Sequence, residues 1–161
     1  MKVSAQEEYG LRCLLQLGRN AAESGEGLTI PEISQSEGLS PAYVGKLMRV
    51  LRMGGFVESA RGHAGGYRLS RPPDRILVGD VLADLGGQLF GPSFCENHSG
   101  VAPDCTHSIE CSIRSLWTTV QTVVDGVLDR ITLSDLLGEE KQAASEFQST
   151  AQELLQVSTG P

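Results

Sequence analysis

Aromatic side chains make up only 5% of this 161-residue chain, which argues against binding nucleic acid by stacking bases on an aromatic platform. Long apolar runs are missing too. None approaches the roughly 18 residues needed to cross a bilayer, and Lys2, Glu7, Glu8, Arg12 and Arg19 already punctuate the first twenty positions. A soluble cytoplasmic protein is expected. Four cysteines are too few to form a disulfide scaffold in a chain of this length. Basic residues are outnumbered, 13 against 20 acidic ones, giving a net charge of −7 and an isoelectric point near 4.9. That balance argues against a uniformly basic nucleic-acid protein. No Ser/His/Asp grouping, phosphate-binding loop or paired-carboxylate motif stands out, so an enzyme is not expected. What is present, 40% apolar and 20% charged residues, suffices for one or two hydrophobic cores.

Apolar spacing is helical over residues 3–22, through Leu11, Leu14, Leu15 and Leu17, with a turn at Glu23–Gly27. Thr29 followed by Ile30, Pro31 and Glu32 has the form of a capping box, and the helix it opens ends at Gly38. Gly38-Leu39-Ser40-Pro41 then makes a tight turn into a third helix. Ser40 caps it, Tyr43, Val44, Leu47, Val50 and Leu51 face inward, and Gly54-Gly55 stops it. Two short helices joined by a glycine-containing turn form a helix-turn-helix pattern. Residues 56–60 and 67–70 alternate around the turn-rich 61–66, which predicts a hairpin with a basic, glycine-rich tip, the wing of a winged helix-turn-helix. Pro72-Pro73 closes that unit, and residues 76–85 are predicted to form a further helix beneath it.

Periodicity is lost from Gly86 to Glu110 and returns after Cys111. There Ile113, Trp117, Val120, Val124, Val127 and Ile131 step by four and three, an a/d seam on a long helix. Pairing of that seam with a second copy is expected, the alternative being that it packs on the first helix of its own chain. The tail is expected to be partly helical through Phe147, Ala151, Leu154 and Leu155. The predicted fold is mainly α. It comprises a winged helix-turn-helix DNA-binding domain at 1–90, a cysteine-bearing loop at 91–110, a dimerisation helix and return segment at 111–137, and a C-terminal tail at 138–161.

The negative charge is uneven. Residues 1–90 hold ten basic and ten acidic side chains, whereas 91–161 hold three and ten. Residues 42–75 carry Lys46, Arg49, Arg52, Arg61, Arg68, Arg71 and Arg75 against Glu58 and Asp74, a local charge of +5 over the third helix and wing. Such a run is commonly no more than a solvated face, but its coincidence with a winged helix-turn-helix predicts an interface for double-stranded DNA. Ser40, Ala42, Tyr43 and Lys46 would meet the major groove, and Arg49 the backbone. Arg61, beside Gly62, would enter the minor groove. His63 is a candidate DNA or solvent contact, while Gly65 and Gly66 allow close approach of the wing. Two such units in a homodimer would ask for a palindromic operator.

The spacing Cys95-x9-Cys105-x5-Cys111 lacks the paired knuckles of a zinc ribbon and is no C-x-x-C redox motif. Three thiolates on a loop and at a helix N-terminus suit an iron–sulfur cluster, which tolerates a non-cysteine fourth ligand. Zinc, redox-active thiols and inert cysteines remain alternatives. Cys13, among leucines, reads as plain packing.

The opening MKVSAQEEYGLRCLLQL, the segment LSPAYVGKLMRVLRMGGFVESARGHAGGYRLS, the three spaced cysteines, Leu116-Trp117 and the ending ITLSDLL resemble the winged-helix iron–sulfur regulators of the IscR and NsrR type, over about residues 1–137. The resemblance implies a homodimeric transcriptional regulator whose DNA affinity is set by a cluster sensing nitric oxide, redox state or iron, with Cys95, Cys105 and Cys111 as ligands. In one branch a His three residues after the third cysteine completes the site. Arg114 stands there in this chain, and a permanently protonated guanidinium cannot ligate. In the other branch a carboxylate of the partner subunit does so, and Glu8 holds that position; His107, His98 and Glu7 are the alternatives. Arg12 stands where two-iron relatives carry a His, which favours a 4Fe–4S over a 2Fe–2S cluster. Gly45 replaces a Glu that helps the iron–sulfur-assembly regulators discriminate operators, so the operator is expected to differ.

Overall fold

The computed structural model describes residues 3–60, 65–88, 90–91, 94–99, 101 and 110–157. Helix α1 (Ala5–Glu23) begins where Ser4 and Glu7 exchange hydrogen bonds, Ser4 N–H to the Glu7 carboxylate at 2.6 Å and Glu7 N–H to Ser4 Oγ at 3.2 Å. Helix α2 (Ile30–Glu37) opens with the same reciprocal box between Thr29 and Glu32 and closes on Gly38, whose φ of +67° lies in the left-handed region. Ser40 Oγ accepts the Tyr43 N–H at the start of α3 (Pro41–Met53). Each of these signals acts within four residues of the chain.

Strands β1 (Val57–Ser59) and β2 (Tyr67–Leu69) pair antiparallel with Val57 opposite Leu69 and Ser59 opposite Tyr67. Tyr67 also exchanges backbone hydrogen bonds of 2.9 and 2.7 Å with Leu28, so the residues entering α2 border the wing. Gly66 makes that approach feasible. Its φ is +109°, and a Cβ there would lie 2.6 Å from the Leu28 carbonyl oxygen.

One core joins these elements. Leu14 of α1, Ile33 of α2, Val44, Leu47, Met48 and Leu51 of α3 are all fully buried, each worth roughly 1.5–3 kcal/mol relative to exposure. Met48 is a core residue the sequence reading omits, while Tyr43 and Val50, predicted to face inward, are half-buried. Helix α4 (Val78–Leu85) begins later than expected because Ile76 and Leu77 are extended and pair with the segment around Thr132. It crosses α1 at Gly10, where a Cβ would lie 2.4 Å from the Leu85 side chain.

Among its described residues, the region expected to be irregular contains one short helix, α5 (Phe94–Asn97). Helix α6 (Ser112–Leu128) ends before Ile131, so the sixth position of the predicted seam is not helical. Instead the chain turns back. Val78 N–H donates to the Ile131 carbonyl at 2.9 Å and Leu133 N–H to the Ile76 carbonyl at 2.8 Å, which carries α7 (Leu133–Leu137) and the fully buried Leu133 into the core of the winged region. Helix α8 (Glu140–Val157) follows, with Leu154 against Gly126 and an exposed ion pair of 3.8 Å between Glu153 and Arg130.

Candidate nucleic-acid interface and cysteine site

Burial of Val44, Leu47, Met48 and Leu51 leaves the opposite face of α3 to solvent, and on it stand Ala42, Lys46 and Arg49, one to two turns apart. Ser40 is exposed at the helix start, its Oγ engaged with the Tyr43 N–H. Tyr43 lies edge-on to Tyr9 of α1, with ring centroids 6.0 Å apart. Gly65, at φ +62°, opens the return strand of the wing. Arg61, Gly62 and His63 lie outside the described residues.

The sequence treats seven cations as one surface, but the fold divides them. Arg68 pairs across the wing with Glu58 at 2.7 Å, an exposed pair of little energetic weight. Arg71 donates to the Arg75 and Gly55 carbonyls and lies 5.2 Å over the Phe56 ring, so its charge ties the hairpin base together. Lys46, Arg49 and Arg52 are exposed and form no ion pair among the described residues. These three are the free positive charge of the helix-turn-helix. The Arg71 contact to the Gly55 carbonyl spans sixteen residues and leaves no trace in local sequence.

Two residues of α1 grip both reading helices. Arg12 Nε donates to Glu37 at 2.7 Å and its Nη2 to the Glu37 carbonyl at 3.0 Å, at the end of α2, while the guanidinium lies 5.4 Å from the Tyr9 ring. The hydrogen bond to Glu37 holds the Arg12 pKa above its ordinary value. Tyr9 in turn touches α3 through Tyr43. Glu8, between them, is exposed; Glu7 is engaged in the Ser4 capping box. The pattern Ser4-x-x-Glu7 was readable in the sequence and would have separated the two carboxylates.

Cys95 sits half-buried in α5 and Cys111 half-buried as the N-cap of α6, where its Sγ accepts the Arg114 N–H at 3.3 Å. His98 stacks on Phe94 at 4.1 Å, and its Nδ1 lies 2.7 Å from the Phe94 carbonyl, occupying one ring nitrogen. The loop is anchored to α6 by Gln121, which accepts the Phe90 N–H at 3.0 Å and donates to Asp125 at 2.6 Å. Cys105 and His107 lie outside the described residues, among which no three metal-ligating side chains gather. Cys13 is fully buried, and desolvation pushes its thiol up to about 12, in keeping with a packing role.

No helix among the described residues is long and apolar enough to cross a membrane. A family model described as Rrf2, iron-dependent transcriptional regulator, matches residues 3–139. Protein rrf2 of Nitratidesulfovibrio vulgaris is 33% identical over 137 residues, which span 85% of this chain and 87% of that protein. The regulator CymR of Bacillus subtilis is 36% identical over 137 residues, 84% of this chain and 89% of CymR. IscR of Aliivibrio salmonicida is 30% identical over 150 residues, 92% of this chain and 85% of IscR. The solved structure of CymR, the global cysteine regulator of B. subtilis, matches with a TM-score of 0.65 at 33% identity, over 85% of this chain and 96% of that one. T. potens IscR gives 0.65 at 33% identity, over 85% and 86%. The chain therefore belongs to the Rrf2 family of winged-helix, DNA-binding transcriptional regulators, a role without enzymatic activity.

Proposed function

We propose that this regulator works as a homodimer on a palindromic operator, and that an iron–sulfur cluster held by Cys95, Cys105, Cys111 and Glu8 of the partner subunit sets its affinity. The donor set suits such a cluster: soft thiolates for iron, with one hard carboxylate making the site labile enough to sense nitric oxide, redox state or iron. When bound, the cluster supplies a reversible cross-link between the cysteine region of one chain and α1 of the other. The observation that carries the reading is the placement of Glu8. It is exposed on the same turn of α1 whose Tyr9 contacts α3 and whose Arg12 holds the end of α2. A pull on Glu8 is therefore a pull on both helices of the reading head, a two-state element biased by a ligand.

Homodimer formation is supported by the exposed apolar face of α6. Ile113, Leu116, Trp117 and Val123 are 58%, 56%, 41% and 47% exposed, and an apolar stripe of that kind is matched by a second copy of itself. Cys111 opens the same helix, so the stripe and the cysteine site are joined by a single rigid element. Cys105→Ala protein purified without oxygen is expected to lose the iron, the sulfide and the visible absorption, and to change its DNA affinity. Unchanged iron content and unchanged affinity would overturn the cluster mechanism.

A second reading keeps the wing and dispenses with iron: a cluster-free regulator acting through thiol redox or zinc. The likeness to CymR, named a global cysteine regulator, favours it, as do two half-buried free thiols. Anaerobic protein without visible absorption, whose DNA affinity still responds to oxidants, would select this reading.

A further inference from the structure

The exposed face of α3 is chemically one-sided. Its solvent-facing side chains are Pro41, Ala42, Lys46, Arg49, Arg52 and Met53. None carries a strong hydrogen-bond acceptor; Ser40, at the helix start, has one lone pair taken by the Tyr43 N–H, and Tyr43 is packed against Tyr9. In the major groove adenine is matched by a side-chain amide that donates and accepts at once, and the cytosine amine by a carboxylate. Neither group exists on this face. Lysine and arginine only donate, and their base-edge match is guanine O6 and N7; an alanine methyl matches the methyl of thymine.

Gly45 adds an independent observation. It lies between Ala42 and Lys46 in the middle of α3, where glycine is less stabilising than alanine. Nothing in the fold asks for it. Its φ is not positive, and a Cβ would meet only Ile30 Cδ1 at 3.7 Å, an ordinary contact. Gly45 is half-buried at the edge of the exposed face, three residues from Ala42 and four from Arg49, and the missing side chain leaves clearance along that edge.

We infer that each operator half-site presents a guanine to Lys46 and a thymine methyl to Ala42, with the helix backbone seated close over the groove at Gly45. The inference rests on the docking of α3 in the major groove. Ala42 and Lys46 are one turn apart, about 6 Å along the axis, against a base-pair rise of about 3.4 Å. The two bases therefore fall within about two steps of one another. Arg49, farther from the helix start, meets phosphate.

Full-length protein should be used to select from a library of random duplexes, alongside Lys46→Ala and Gly45→Ala. The expected motif contains guanine and thymine within two positions of each other. Lys46→Ala should lose the guanine preference alone, with specific affinity down roughly 5- to 100-fold. Gly45→Ala should raise the melting temperature while weakening specific binding, opposite signs that a merely structural glycine would not give. A motif lacking that pair, an unchanged motif with Lys46→Ala, or unaltered binding by Gly45→Ala overturns the inference while leaving DNA binding intact. If no motif is enriched at all, the docking of α3 fails and the inference with it.

Discussion

Helices α3 and α6 divide the molecule into two kinds of surface. Four of the thirteen residues of α3 are buried, all of them apolar, whereas α6 buries only Gln121 among seventeen and leaves Ile113, Leu116 and Trp117 in solvent. The first helix completes its packing within one chain and turns a polar face outward. The second keeps apolar side chains exposed, most of them in its first half. The narrow heptad pattern of α6 thus coincides with apolar surface left exposed, and the broader stripe of α3 with burial inside one chain.

Substitutions at matched positions should expose this difference most strongly. Leu47→Ala, deep in the core, is expected to lower stability by about 2–5 kcal/mol, read by chemical denaturation. Trp117→Glu removes an exposed side chain and should alter monomer stability by no more than about 0.5 kcal/mol. On the proposed pairing it should nevertheless shift the sedimentation profile to monomer and reduce operator affinity. Comparable destabilisation by both substitutions would show that Trp117 is packed within its own chain; an unaltered sedimentation profile would exclude the stripe as the dimer contact.

The boundary between what the sequence discloses and what it conceals follows the range of the interactions. Thr29-Pro31-Glu32, Gly38 and Ser40 act within four residues, and the helix-turn-helix they predict is the one observed. The hairpin of the wing and the helical tail were likewise legible from alternation and spacing. Burial of Leu133 was not, because it arises from backbone pairing between residues 76–78 and 131–133, more than fifty positions apart. Gly10 looks like a helix weakness until Leu85 crosses it. At the candidate site the cations of α3 could be read directly. The withdrawal of Arg68 and Arg71 into internal contacts could not, nor the use of Arg12 to fasten α1 to α2.

Cysteine chemistry offers a smaller contrast between the same regions. Cys13 is fully buried, and its thiol is pushed up to about 12, above an ordinary value near 9.0, chiefly by desolvation. A folded-state value raised in this way stabilises the native form fully below the ordinary value, and that contribution is lost as pH rises toward 12. After chelator treatment, iodoacetamide near pH 8 should label Cys95 and Cys111 within the native protein and spare Cys13. The stability advantage of the parent over Cys13→Ala should narrow as the solution becomes strongly alkaline. Labelling of Cys13 at the rate of the other two would contradict the packing of α1 against the core.

The smallest expected effect lies at the helix starts. Glu32 is held below the usual carboxylate range, first by the Thr29 hydroxyl at 2.7 Å and then by the Thr29 N–H at 2.7 Å. Because the folded-state value is depressed, this contribution is present above the ordinary carboxylate value and disappears as pH falls through the depressed one. The first turn of α6 has no acidic residue, and its cap is the sulfur of Cys111. Acidification should therefore loosen the start of α2 through a group that α6 lacks. Glutamine retains the acceptor of the box but not its charge, so Glu32→Gln should lie slightly below the parent in melting temperature at neutral pH and converge with it in acid. Amide exchange resolved by residue would locate the change. If the start of α6 opened in parallel with α2 in the parent and in Glu32→Gln alike, the acid response would belong to the whole fold and not to this carboxylate.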